Sequence, residues 1–226
     1  MDHSKTAIIW DLDGTLLDTL EDLKNATNYV LRTFGCPERT LDEVRRFVGN
    51  GARRLLVLAM PESSSGAEID RALECFKTYY DAHCREHTGP YAGIPEALQL
   101  LKEAGYPMAV VSNKPDSAVQ ILCRDYFGDL FATTHGDCPG CARKPAPDLV
   151  LQTAAVLGVA PEHCIYVGDS DVDILTAANS GMICLSVLWG FRDRELLGHS
   201  GGSHFCADPA DLPRAIRELE EIIHGK

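Results

Sequence analysis

"IIWDLDGTLLDTL", residues 8–20, begins as an apolar, β-leaning run and breaks into Asp11 and Asp13, then Gly14 and Thr15. The stretch from Thr6 to Asp13 reads as a strand bounded by turn residues. Charge at the end of an apolar strand costs desolvation energy unless a partner, a metal or a reaction offsets it. The two carboxylates could also do no more than cap the turn, so their meaning depends on what the rest of the chain brings to the same place.

Outward from that strand the spacing changes. Leu20, Leu23, Ala26, Val30, Leu31 and Phe34 share one helical face, and Gly35 ends the segment. Helices are expected over 40–48, 52–60 and 69–87, with "PESSSGAE" as a polar loop and no convincing strand between Asp18 and Pro90. After Tyr91, strands and helices alternate. "PMAVVSNK", "LFATTHG", "HCIYVGD" and "MICLSVLW" read as strands, and Leu212, Ile216, Leu219 and Ile223 mark a final amphipathic helix. Such alternation predicts an α/β fold: a Rossmann-like parallel sheet with helices on both faces. Residues 1–17 and 91–226 would form that core. Residues 18–90 would form a small all-helical insert after the first strand, with "PYAGIPE" as the return hinge.

The 226 residues, 45% hydrophobic, suffice for one sizeable core or a large domain with a small insert. A formal charge of -12 argues against nonspecific binding to nucleic acid or anionic membranes, both of which need a positive patch. No apolar run approaches the roughly 20 residues of a membrane span, and no secretory segment precedes the first strand. Cys75, Cys84, Cys123, Cys164 and Cys184 read as small buried hydrophobes in a reducing compartment. These features point to a cytoplasmic protein, monomer or homodimer.

Four strand ends carry polar residues: Asp11 and Asp13; Ser112 and Asn113; Lys144, after the third strand; and Asp169, with Asp173 four residues on. Ligands of open α/β sheets bind beyond the carboxyl ends of the strands, so these stretches should converge on one crevice. Asp11, Asp13 and Asp169 together demand a proton or a cation, and oxygen ligands suit Mg2+. One carboxylate can be a covalent nucleophile and another a general acid and base. Lys144, Ser112 and the N–H groups near Gly14 and Thr15 could hold an anion. Such a set suits phosphoryl transfer.

"DLDGT", "VVSNK", "RKPAPD" and "YVGDSDVD", in this order, resemble the haloacid dehalogenase superfamily, and "GNGARRLL" with "LWGFRDRELL" narrows the likeness to its phosphoglycolate phosphatase-like branch. The resemblance spans nearly the whole chain. It implies Asp11 as nucleophile and Asp13 as acid, then base. Ser112 and Lys144 would hold the phosphoryl group, with Asn113 beside them. Asp11, the Asp13 carbonyl and Asp169 would ligate Mg2+, supported by Asp173. The insert would be a mobile cap. The superfamily's dehalogenases lack an acid at the position of Asp13, so its presence favours phosphate ester hydrolysis. The expected activity is a Mg2+-dependent phosphatase for a small phosphorylated metabolite, phosphoglycolate first. Alternatives are a pyrophosphatase, a nucleotidase, a sugar-phosphate mutase, or a phosphate-binding regulatory module without catalysis.

Other residues carry weaker signals. Asp169 and Asp173 also suit a helix N-terminus. Gly49-Asn50-Gly51 could expose N–H groups to an anion or simply break a helix. Arg53 or Arg54 could bind a substrate carboxylate, though an exposed arginine is more often solvated. Cys138 and Cys141, with His135 nearby, form a C-x-x-C that lacks an evident fourth zinc ligand.

Overall fold

β1 (Ala7–Trp10) sits near the middle of a six-stranded parallel sheet in a computed structural model that describes residues 6–225. Its neighbours are β4 (Met108–Pro115) and β6 (Cys164–Gly168), with Trp10 opposite Val110 on one side and Val167 on the other. β5 (Thr133–Asp137) lies outside β4; β7 (Ile183–Val187) and β8 (His204–Cys206) continue beyond β6. From β1 the chain moves first toward β4 and β5, and then returns to build β6, β7 and β8 on the opposite side. The order therefore reverses at β1 and β6, which opens a crevice beyond their carboxyl ends.

Alternate residues of β1 enter different cores. Ile8 and Trp10 join the larger cluster; Ala7 and Ile9 join a smaller one with Val150 and Ala154 of α7 (Asp148–Leu157) and Ala177 of α8 (Asp171–Ser180). This two-residue period is why the strand reads as a continuous apolar run: helices cover both faces. The remaining core helices are α5 (Ile94–Glu103), α6 (Asp116–Phe127), α9 (Arg194–His199) and α10 (Leu212–Ile223).

Four helices lie between β2 (Leu17–Asp18) and β3 (Gly89–Pro90): α1 (Leu20–Thr33), α2 (Leu41–Phe47), α3 (Gly51–Ala59) and α4 (Gly66–His83). Leu23, Ala26, Val30 and Leu31 of α1 are buried in the same cluster as Leu56, Phe76 and Tyr80. Each of the Leu, Val and Phe side chains among these contributes about 1.5–3 kcal/mol on burial. β2 and β3 pair antiparallel, a two-residue contact where the chain leaves and re-enters the core.

Several boundaries differ from the sequence expectation for identifiable reasons. β1 ends at Trp10 rather than Asp13, because residues 12–17 fold into a tight turn in which Leu12 O accepts from the N–H groups of Leu16 and Leu17. The polar loop before α4 is shorter than expected. Ser65 and Glu68 form a reciprocal capping box that starts the helix at Gly66. The same helix stops at His83, and Asp22 accepts from the N–H groups of His87 and Thr88 beyond it. α9 and β8 carry too short a pattern to be seen beforehand. Among the five cysteines expected to be buried, Cys75 and Cys184 are half-buried. No helix among the described residues is long and apolar enough to cross a membrane.

Candidate active site

Asp11 leaves β1 with its N–H still bonded to Val167 O at 2.9 Å, so the sheet fixes its backbone. The turn that follows needs Gly14 at φ +82°, a left-handed conformation that side chains disfavour. A Cβ at Gly14 would collide with the Asp169 carboxylate, and a Cβ at Gly190 would collide with it as well. These two glycines let the loops after β1, β6 and β7 close around one acid. Asp169 Oδ2 accepts the Phe191 N–H at 2.7 Å, and Oδ1 accepts the Thr15 hydroxyl at 3.3 Å.

Lys144 is the buried cation of this centre. Its Nζ lies 2.8 Å from Asp11 Oδ1, from Asp173 Oδ1 and from the Tyr166 hydroxyl. Asn113 holds the Lys144 backbone from both sides, accepting its N–H at 2.9 Å and donating to its carbonyl at 3.0 Å. Asp173 Oδ2 accepts the Ser170 hydroxyl at 2.6 Å and completes the capping box of α8. The N-cap role and the ion pair therefore coexist in one carboxylate.

Burial pushes the Asp11 carboxyl up to about 6; Lys144 opposes the shift, and Asp173 and Asp13 add to it. Burial together with Asp173 and Asp11 raises Asp169 well above the usual carboxylate range. Burial alone would pull the Lys144 ammonium down, but Asp11 and Asp173 outweigh it and hold the group well above its ordinary value. The centre is thus short of positive charge.

The residues fit a divalent cation. Oxygens of Asp11, Asp169 and Asp173 lie within 4.8 Å of one another. Asp11 Oδ1 is buried against the Lys144 ammonium at 2.8 Å. A hard oxygen set of this kind suits an ion such as Mg2+, Ca2+ or Mn2+.

Above the acids lies a chamber lined by Asp11, Asp13, Ser112, Leu55, Phe76 and Arg192, among others. Ser112 and Asn113 are buried beside it. Asn113 also donates to Gly49 O at 3.0 Å, and Arg192 donates to Arg45 O at 2.8 Å and Val48 O at 2.7 Å. Core side chains thus grip the helical insert by its backbone.

Arg53 departs from its expected place. It pairs with Asp70 at 3.0 Å on the exposed side of α3 and does not line the chamber. Cys138 and Cys141 are bonded to each other, so neither sulfur is a free thiolate for zinc, and His135 Nε2 meets the Thr133 hydroxyl at 2.9 Å. Two chamber residues were missed. Lys114, buried on β4, pairs with Asp13 at 2.7 Å, and Arg192 ties the insert to the core. The i, i+2 spacing of Ser112 and Lys114 near a strand end was the available signal for the first.

The family model of haloacid dehalogenase-like hydrolases matches residues 8–187. The chain belongs to this family. The hydrolase is 35% identical to a phosphoglycolate phosphatase of Rhodobacter capsulatus over 210 residues, which cover 90% of this chain and 94% of that protein. It is 33% identical to a phosphoglycolate phosphatase of Pseudomonas putida over 218 residues, covering 90% of this chain and 80% of the other. A crystal structure from Lactobacillus delbrueckii subsp. bulgaricus, of a protein provisionally named a phosphoglycolate phosphatase, superposes with a TM-score of 0.85 at 36% identity. The superposition covers 98% of the hydrolase and 99% of that chain.

Proposed function

We propose that this hydrolase is a Mg2+-dependent phosphatase of a small phosphomonoester, with phosphoglycolate the first candidate, and that it works through a phosphoryl group carried on Asp11. The observation that carries the reading is the Asp11 carboxylate itself. It is buried at the chamber floor against Lys144 at 2.8 Å and beside Asp169, while Asp13 two residues on lines the same chamber. The curated relatives named above support the choice of substrate.

Asp11, the Asp13 carbonyl and Asp169 would hold the metal, with Asp173 supporting through Lys144 and Ser170. The ion, when bound, neutralises charge on the phosphoryl oxygens. Asp11 attacks phosphorus while Asp13 gives its proton to the departing ester oxygen. Asp13 then takes a proton from the water that cleaves the aspartyl-phosphate. Ser112 and Lys144 hold the phosphoryl oxygens in line; the N–H groups of Gly14 and Thr15, expected from the sequence to join them, are spent within the turn on Leu17 O at 2.9 Å and Leu12 O at 3.3 Å. Residues 18–90 act as a cap that opens for substrate and closes to exclude water.

Phosphate release from phosphoglycolate, sugar phosphates, nucleotides and pyrophosphate, with and without Mg2+, tests this. Turnover that requires Mg2+, favours phosphoglycolate and vanishes in Asp11→Asn is expected. Metal-independent turnover, or turnover that survives Asp11→Asn, contradicts it.

A further inference from the structure

Lys114 is a buried lysine that the phosphoryl chemistry described above does not use. It lines the chamber with Asp13, Ser112 and Asn113, on the irregular end of β4. Its Nζ meets Asp13 Oδ1 at 2.7 Å and the Tyr80 hydroxyl of α4, and it sits 4.5 Å from the centre of the Tyr80 ring. An ammonium has three N–H donors, and these two partners among the described residues leave one unspent.

The other chamber cation is committed elsewhere. Arg192 spends its guanidinium on Arg45 O and Val48 O and lies 3.7 Å from Asp171. Arg53 lies outside, paired with Asp70. The floor of the chamber is acidic: Asp11, Asp13 and Asp169. A second anionic group on a substrate would be repelled there unless a cation received it. The facing wall includes Gly51 and Ala52 at the amino end of α3, where Asn50 supplies no side-chain cap. The positive end of that helix therefore borders the same space.

We propose that Lys114 is the anchor for a carboxylate on the leaving group, and that it sets a preference for phosphate esters of short hydroxy acids. This rests on the phosphatase reading and deepens it. Asp13 Oδ1 is occupied by Lys114, so Oδ2 is the oxygen left for the ester oxygen. A leaving group that touches both Asp13 and Lys114 spans one carboxylate's width. An ester oxygen and a carboxylate separated by one carbon, as in a 2-hydroxy acid, fit that span. Tyr80 fixes the ammonium from the insert side.

The test compares 2-phosphoglycolate with 2-hydroxyethyl phosphate, which replaces the carboxylate by a neutral alcohol. Both are assayed with Mg2+ on the full chain and on Lys114→Met and Lys114→Arg. The wild type should favour phosphoglycolate in kcat/KM. Lys114→Met should cut that ratio about tenfold to a hundredfold, the effect of one charge-assisted hydrogen bond, and mainly through KM for phosphoglycolate. Lys114→Arg should restore part of the ratio. A ratio unmoved in Lys114→Met, even with slower turnover of both esters, overturns the proposal, as does a wild type that treats both esters alike. Calorimetric binding of the two esters to Asp11→Asn, which does not need Lys114→Met to fold, gives an independent reading: equal affinities overturn the proposal. Absence of phosphate release from every ester would instead remove the phosphatase reading, leaving the binding comparison to judge Lys114.

Discussion

At Asp11, burial and charge pull in opposite directions. Burial raises its pKa from the ordinary 3.8 to about 6, and Lys144 only partly resists. Between those two values the folded chain holds a proton that the unfolded chain has released. That contribution to stability therefore falls as pH rises through the window, and it is missing above it. A divalent cation reverses the balance, because it binds the ionised form. The stabilisation by Mg2+ should therefore grow as pH is raised from 5 to 8, read as the difference in Tm with and without the ion; a difference that shrinks with pH would contradict the assignment. At Lys144, removal leaves Asp11 and Asp173 facing each other in the core. Lys144→Met should lower stability by about 3–5 kcal/mol in denaturant unfolding and abolish turnover.

The same scale shows what could be read from sequence. Asp11, Asp13, Ser112 and Asp169 stood at strand ends, and a strand end has one destination in a parallel sheet; Lys144, in the loop seven residues past β5, was legible from the order of the motifs. Lys114 stood at such an end too, but a lysine beside a proline reads as solvated until Asp13 and Tyr80 are seen around it. Arg53 shows the converse. Its spacing within α3 was visible, but the direction of its face depended on how α3 packs against α4.

Among the elements, the two capping boxes that enclose the insert's helices were written in the sequence, at Thr40–Glu43 and Ser65–Glu68. The second was hidden inside a polar run. Ser65→Ala should cost about 1 kcal/mol and leave kcat/KM nearly intact, because Ser65 is exposed and does not line the chamber. The turn after β1 is different. Gly14→Ala meets both a positive φ and the Asp169 carboxylate. It should weaken Mg2+ binding at least tenfold, measured by titrating activity or Tm with the ion. An unchanged metal affinity would mean that Asp169 is free to move aside. The short elements, α9 and β8, escaped because they hold too few residues for a period to show.

Over the whole molecule, the helices between β2 and β3 share an apolar cluster with the sheet core and also meet it through polar contacts, among them Arg85–Asp125 at 2.7 Å and several around the chamber. Arg192 donates to the carbonyls at the carboxyl end of α2, and Asn113 reaches Gly49. Within the insert, Asp22 of α1 gathers the backbone of His87 and Thr88 just before the return strand. This arrangement suits a cap that swings on its two connecting strands and is latched by Arg192. Arg192→Ala should raise KM several-fold and speed proteolytic cleavage within residues 45–51, with limited proteolysis as the check. Alternation of strands and helices made the sheet legible in the sequence. The latch was not, because its acceptors are backbone carbonyls, which carry no residue signature.

The most direct test of the central claim is to look for the phosphoryl group on the protein. A rapid acid quench of Mg2+-loaded enzyme with phosphoglycolate, followed by mass analysis of peptides, should find a phosphoryl adduct on the peptide containing Asp11 within the first turnover, and none in Asp11→Asn. Full-rate phosphate release with no adduct at any time would contradict covalent catalysis by Asp11 and point to direct attack by water.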